Sequence, residues 1–539
     1  MVPGGQTRAR SGSGRQCGLL RAIIWREPID LPLQREPPSV SRFQGQSKRW
    51  QAQLSRGRAI LFPTAQSRPE FGWNRPGSWP EHVERSRLRR LFVREYTIPE
   101  ATILLMAAFL FSAALGSVRQ IFLNALFGTG EAANAYYAAF RLPDALFSLI
   151  AGGALSSAMI PILLSTERED GRDEWEYLFN LVLTGLFVAL VIVVALGEIF
   201  TPTFVHYILA PGFDAETTHL TVTLTRIMLA QPLILAGGSV AAAVLNSRRQ
   251  FTLTAISFAS HNVAILSGIA VSWLVPSVGI YGPTVGVLGG AVLQMILLIP
   301  GIRDNGLHVH IAWEVHNARL RQVVHLLIPN GLSVAVGYAG FIVDTAFASK
   351  VPGTLALPAI QNAWLLVALP ISLLGQGVGQ AAFPRLAAHA AAARWFDMRR
   401  TLVYSLGAVV ALAMPALIGL GLLGRILIRL LFEHGKFDAV AGTATYHVLL
   451  IYVLVLPFAV ATELLSRGLI SLRDTRTPLL TNTLQLAMRA GITAALLGRY
   501  GVEAIPTAFV VSSAIETALL AAILLPRIQR RIKLGEAGW

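Results

Sequence analysis

The sequence has little charge, almost no cysteine and no enzyme signature. Its single thiol, Cys17, excludes an intrachain disulfide. Charged residues are 14% of the chain against 54% hydrophobic ones, and the mean hydropathy is +0.56. That leaves too much apolar surface for a soluble globule of ordinary composition. Also missing are a Walker A loop, a dinucleotide fingerprint after a strand, a nucleophile elbow and any Cys/His cluster with zinc spacing. The chain is therefore expected to be no enzyme, to hold no cofactor and no metal, and not to drive ATP-powered transport by itself. His308, His310 and His316 crowd one connection without a partnering Cys or carboxylate pattern, and read as loop residues.

The formal net charge of +15 raises the question of nucleic acid, and its distribution answers against it. Residues 1–95 hold 18 Arg/Lys against 7 Asp/Glu, and most other cations sit in short connections. The first 95 residues are rich in Arg, Pro, Gly, Ser and Gln without an apolar period, so a basic, disordered extension near anionic headgroups is expected. No nucleic-acid partner is expected.

From residue 100 onward, apolar runs of bilayer-spanning length recur regularly. Twelve are expected, at 101–124, 136–164, 177–200, 219–245, 251–274, 280–300, 322–349, 358–384, 400–423, 441–466, 478–498 and 502–525. Lys and Arg in the connections test their orientation. With the N-terminus cytoplasmic, the inner connections and the tail 527–539 hold seventeen, and the outer connections five. The fold expected is an all-α polytopic membrane protein. Two stretches on the outer side, 203–214 and 425–438, look partly amphipathic and are expected along the interface.

A duplication is legible in the spacing. LGQGVGQAAFP (374–384) overlays AGGALSSAMIP (151–161) at an offset of 223, with Gly152/Gly375, Ala158/Ala381 and Pro161/Pro384 identical. Phe213-Asp214 recurs as Phe437-Asp438 after 224 residues, and Pro232, Ala236 and Arg248 recur as Pro457, Ala461 and Arg473 after 225. A near-constant offset through three blocks indicates two pseudo-symmetric six-helix lobes, 96–305 and 306–526, around a central cavity.

Ionisable and helix-bending residues mark where that cavity should lie. Within 135–164, Arg141, Pro143, Asp144 and the Gly152-Gly153 pair suit a bent, cavity-lining helix better than a simple anchor. Arg119, Arg226, Asp344, Glu463, Arg467, Arg489 and Glu516 are the other charges in or near spans. For Arg119, Arg141 and Arg467, close to helix ends, snorkelling to the interface is the competing reading. His261, Asn262, Asn330, Gln361, Asn362, Gln376 and Gln380 suit helix–helix hydrogen bonds more than ligand contacts.

Several blocks carry a resemblance. LFGTGEAANAYYAAFRLPDALFSLIAGGALSSAMIP (126–161), ILAPGF (208–213), TRIMLAQP (225–232), VLNSRRQF (244–251), VDTAFAS (343–349), AAFPRLA (381–387), LLFEHGKF (430–437) and SRGLISLRDTRTP (466–478) together resemble the MurJ/MviN family of lipid II flippases, in the multidrug/oligosaccharidyl-lipid/polysaccharide exporter superfamily. The resemblance runs over about 100–525 in order. It implies alternating access, a lipid-linked oligosaccharide substrate among membrane lipids, coupling to membrane potential or an ion gradient, and a place in the bacterial inner membrane.

Departures from the family pattern fall at charged positions. The first-span pattern R-x-x-G-x-x-R reads Ala113, Gly116, Arg119, and the acidic residue opening the second span is Asn134. The arginine four residues after Pro143 is Phe147, and the one following Asp344 is Thr345. Twelve expected spans compare with fourteen usual in the family. The resemblance thus leaves Arg119, Arg141, Arg226 and Asp344 as the substrate-binding set, with Asn134, Pro143, Gly152, Gly153, Gly375 and Gly377 shaping the cavity. The rivals are an exporter of another polyprenyl-linked glycan or of cationic drugs, and a relative that binds without transporting. A drug antiporter would need acids in the cavity, for which Asp344, Glu463 and Glu516 are available.

Overall fold

The computed structural model describes residues 94–536 apart from Gly152, Gly153 and Val315. The expected extension 1–95 therefore lies outside the described residues, except for its last two. No strand occurs among the described residues.

The chain from 98 to 304, its first half, runs through α1 (Ile98–Phe127), α2 (Glu131–Ala139), α3 (Arg141–Ala151), α4 (Ala154–Glu169), α5 (Arg172–Phe204), α6 (Ala215–Ser247), α7 (Thr252–Leu274) and α8 (Tyr281–Asp304). The second half repeats the order with α9 (Ala318–Ser349), α10 (Ala356–Pro370), α11 (Gly377–Ala391), α12 (Trp395–Leu431), α13 (Ala439–Tyr452), α14 (Leu456–Ser471), α15 (Arg476–Tyr500) and α16 (Ala504–Glu536). The recurring Phe-Asp pair has a local cause. Asp214 caps α6 by accepting from the Glu216 amide at 3.3 Å, and Asp438 caps α13 by accepting from the Ala441 amide at 2.8 Å.

Nine stretches among the described residues are long and apolar enough to cross a membrane, against twelve expected. The last, Arg476–Leu534, contains both α15 and α16, which pack on each other across the turn Gly501–Glu503. The seventh expected span, 322–349, lies within the single continuous helix α9, with Arg319, Arg321 and His325 near its start. The expected span 136–164 is interrupted at Phe140, between α2 and α3, while Gly152 and Gly153, between α3 and α4, lie outside the described residues. Its second-half counterpart is continuous but carries a π-helical turn, Ile371–Gln376, between α10 and α11, where one extra residue per turn displaces the side chains that follow. The stretches expected along the interface instead continue the spanning helices. Residues 203–204 close α5 and 205–209 extend it as a π turn, while 425–431 form the end of α12.

Most helices pack within their own half, α5 on α6, α7 on α8, α12 on α14 and α15 on α16. Between halves, α9 packs on α3 and α4, and α10 on α2. Two ends of the bundle differ. At one, which we call the sealed end, the halves meet through backbone. The Lys436 amide donates to the Ala125 carbonyl at 2.8 Å, and the Gly212 amide donates to Ser349 Oγ at 3.1 Å. Gly435 and Gly128, both at φ 61°, lie so close to Ala125 and Lys436 that a Cβ on either would overlap a backbone carbonyl. At the other, basic end, Arg319 on α9 bridges Glu169 at 2.6 Å and Asp170 at 2.8 Å in the first half.

Candidate functional site

Below the sealed end the two halves enclose a small cavity lined by Arg119, Gln120, Leu123, Tyr136, Tyr137, Phe140, Arg141 and Gln361. Arg119 and Gln120 come from the last turns of α1, the aromatic residues from α2, Arg141 from the start of α3 and Gln361 from α10. The break at Phe140 between α2 and α3 turns Arg141 towards the second half. Its Nε donates to Thr345 Oγ1 at 3.0 Å and its Nη2 to Gln361 Oε1 at 2.9 Å, with the guanidinium 5.5 Å from the Phe341 ring centroid. Arg119 makes no hydrogen bond or ion pair among the described residues. One arginine is thus anchored, and its neighbour keeps its donors for something else.

A neutral ring of side chains roofs the cavity. Gln120 Nε2 donates to Tyr137 OH at 2.6 Å and to Asn362 Oδ1 at 2.8 Å, Asn124 Nδ2 donates to Asn362 Oδ1 at 2.9 Å, and Tyr137 OH donates to Asn124 Oδ1 at 3.1 Å. All four residues are buried, so each bond replaces water that could not reach them. The cavity itself offers about 40 Å³, on the order of a single water. In this state it can touch part of an anion and cannot contain a large cargo.

Asp344 lies apart from the cavity on the inner side of α9. It is ion-paired with Arg489 of α15, the two side chains being only 4% and 8% exposed. The Arg489 guanidinium also lies 4.0 Å from the Phe509 ring centroid. Phe341, Trp364 and Phe509 then stack edge to face at 5.6 and 5.7 Å, so an aromatic row joins the Arg141 site to the buried pair.

Arg226 is not brought to the cavity. It is half-exposed on α6, where it donates to the Glu198 carbonyl at 3.2 and 3.1 Å with the Glu198 carboxylate at 3.6 Å. Asn134 is buried at the sealed end and donates to the carbonyls of Thr129, Gly130 and Thr354 at 3.0, 3.0 and 2.9 Å, which ties the start of α2 to the second half. Pro143 is buried in the first turn of α3, a position that needs no backbone donor. Gly152 and Gly153 lie outside the described residues. Gly375 sits within the π turn, where a Cβ would make ordinary contact with Glu463, while Gly377 faces open space. Glu463 is bonded to Arg467 one turn on, at 2.6 Å.

Sequence reasoning singled out Gln361 and Asn362 only as helix–helix contacts, and missed Gln120, Asn124 and Tyr137 altogether. Their signal was weak, because an amide in an apolar helix shows neither its partner nor its facing. Asn262 behaves as read, donating across to the Ser112 carbonyl at 3.0 Å.

Comparison with known proteins gives a consistent picture. Residues 123–537 match the family described as lipid II flippase MurJ. A probable lipid II flippase MurJ of Rhizobium tropici is 27% identical over 386 residues, 71% of this chain and 72% of that protein. The lipid II flippase MurJ of Burkholderia cenocepacia is 29% identical over 377 residues, 68% of this chain and 72% of that one. Among solved structures, a lipid II flippase MurJ in an inward closed conformation superposes with a TM-score of 0.68 at 23% identity, covering 78% of this chain and 87% of the other. An inward-facing multidrug resistance MATE transporter superposes at 0.67 with 12% identity, covering 80% and 99%. These two likenesses establish the fold.

Proposed function

The chain belongs to the lipid II flippase MurJ family, and from that membership we propose that it moves a lipid-linked, diphosphate-bearing glycan of the lipid II class from the inner to the outer leaflet of a bacterial inner membrane. The observation that carries this reading is the pair Arg119 and Arg141 in one cavity between the halves. A diphosphate needs positive charge where water is scarce, and a guanidinium meets phosphate oxygens with two parallel donors. Arg141 is held in position by Thr345 and Gln361, while Arg119 remains available to the anion.

In this reading the halves 96–305 and 306–526 act as two six-helix lobes that rock about the cavity. The basic end, with its excess of Arg and Lys, is cytoplasmic together with both termini, and the sealed end faces outward. Cargo is loaded when the basic end opens, and released when the backbone contacts of the sealed end part. An inside-negative potential of 100 mV favours outward transfer of each negative charge by about 2.3 kcal/mol. That supplies a coupling without an acidic site. Of the three acids a drug exporter could use, Asp344 and Glu463 are each ion-paired with an arginine, which leaves only the buried Glu516 to that reading.

The test is flipping of a labelled lipid II analogue in proteoliposomes. A charge-assisted hydrogen bond contributes about 1.5–3 kcal/mol. Arg119→Ala should therefore slow flipping by roughly ten- to a hundredfold at unchanged expression, at about 1.4 kcal/mol per factor of ten. Arg119→Lys should recover only part, since it keeps the charge without the fork. Full activity in the Ala variant would remove Arg119 from the site.

A further inference from the structure

The connection between the halves makes an excursion that the sequence does not suggest. After α8 the chain runs back along α5, whose side chains hold its backbone in a ladder spaced four residues apart. Glu176 Oε1 accepts from the His308 amide at 2.9 Å. Asn180 accepts from the His310 amide at 2.9 Å and donates to the His308 carbonyl at 3.0 Å. Thr184 Oγ1 accepts from the Ala312 amide at 3.2 Å. From Glu176 to Thr184 the helix rises about 12 Å at 1.5 Å per residue. Four extended residues cover about 13 Å, so 308–312 is drawn out along the helix. The chain then returns: Tyr177 OH donates to Glu314 at 3.1 Å, and Asn317 caps α9 at the level where Arg319 meets Glu169 and Asp170.

The tip of this excursion is apolar and faces away from α5. Val309 is 65% exposed, Ile311 88% and Trp313 61%, while Ala312 between them is buried. Beyond Tyr177 the helix that holds it belongs to the apolar stretch Arg172–Leu209, whose own outward residues Phe187 and Val191 are also exposed. Irregular backbone is tolerated at membrane depth only where its polar groups have partners. Here the amides of 308, 310 and 312 are bonded to the ladder, and those of 309, 311 and 313, which are not, require the backbone to stay at the level of interfacial water while the side chains go deeper. We propose that residues 308–314 form a re-entrant loop that inserts Val309, Ile311 and Trp313 into the acyl and glycerol region of the leaflet on the basic side. Its occupant is bilayer lipid, because the exposed residues continue the lipid-facing surface of α5 and carry no charge for an acidic partner. The Trp313 ring suits the interface, where one edge is apolar and the other wet. The loop also keeps the connection on the first half while the second half moves.

Depth-resolved quenching tests this independently of any cargo. In a Cys17→Ser background, Ile311→Cys is labelled with an environment-sensitive fluorophore and reconstituted in phosphatidylethanolamine/phosphatidylglycerol vesicles. Phe187→Cys on α5 and Ala392→Cys in an exposed turn of the basic end serve as references. Brominated acyl chains should quench position 311 as strongly as 187 and several-fold more than 392, with aqueous iodide giving the reverse order. Quenching at 311 that follows 392 would place the tip in water and overturn the proposal. Protection from both quenchers would mean that protein covers the tip, and would overturn it equally. Asn180→Ala, which removes the central rung, should shift 311 towards iodide with the references unchanged. No shift would show that the ladder does not hold the loop.

Discussion

The two ends of the bundle are held by different physics. At the sealed end the halves meet through neutral hydrogen bonds and glycine backbone: the Lys436 amide on Ala125, the Gly212 amide on Ser349, Asn134 on Thr354, and the amide ring of Gln120, Asn124 and Asn362 beneath. At the basic end the cross-half contact that α9 makes is ionic, Arg319 with Glu169 and Asp170, whose side chains are 58% and 39% exposed. Shape complementarity is indifferent to salt, whereas exposed ion pairs are screened within about 10 Å at 0.1 M ionic strength. An alternating-access protein built this way has one gate set by fit and one set by charge. The ionic gate is the weaker, and should yield first.

The largest effect should come from spoiling the fit. Gly435→Val adds a side chain where a Cβ already overlaps the Ala125 carbonyl, at a φ that β-branched residues avoid. Overpacking of this kind costs about 1–3 kcal/mol, so flipping should fall by about fivefold to a hundredfold. Gly212→Val, acting on Ser349 from the other half, should do the same. If either variant flips at the wild-type rate, the sealed end is not fit-limited.

A smaller effect is expected at the ionic gate. Exposed pairs contribute about 0–1 kcal/mol, so Arg319→Ala should change the flipping rate by less than about fivefold. Spin labels placed across the basic end should move apart as salt is raised, while labels across the sealed end keep their distance. Equal responses at both ends would erase the distinction drawn here.

The smallest effect concerns a charged contact of the basic end within one half. Burial raises the pKa of Asp474, but hydrogen bonds from Thr477 and from Arg527 outweigh it and hold the carboxyl at about 2. A depressed folded-state value means that the contribution is present above the unfolded value of about 3.9 and is lost only as pH falls through the folded one. Hydrogen exchange at 472–477, corrected for its intrinsic pH dependence, should therefore stay unchanged from pH 7 to pH 3 and rise near pH 2. A rise already at pH 4 would show that these bonds do not hold in solution.

Much of this was legible in the chain. Apolar run length located most of the helices, the repeated Phe-Asp pair marked two equivalent caps, and Arg119 and Arg141 were picked out and do share a cavity. Facing was not legible. α6 is apolar on every side, so nothing in its pattern distinguishes an inward Arg226 from one paired with Glu198 at the edge. Asp344 was marked without its partner, since Arg489 lies 145 residues away and only tertiary packing joins them. The helix α2–α3 was expected to bend, and its break at Phe140, which aims Arg141, falls where Pro143 removes the bond to the Ala139 carbonyl. The connection 308–314 reads as a histidine-rich loop because three apolar residues in alternation are too few to signal a membrane.

The backbone contacts of the sealed end carry one more consequence. The Gly212 amide meets Ser349, and the Lys436 amide meets Ala125. Residues 436 and 212 are 224 positions apart, and so are 349 and 125. A contact in which position i of one copy meets position j of the other, and the reverse, is what a two-fold axis imposes on identical subunits. Two separate half-length chains would make this junction twice without any connecting segment. The fused protein keeps there the footprint of a homodimer, preserved in the positions that meet and in the main-chain donors, while the acceptor is a carbonyl at Ala125 and a side-chain hydroxyl at Ser349.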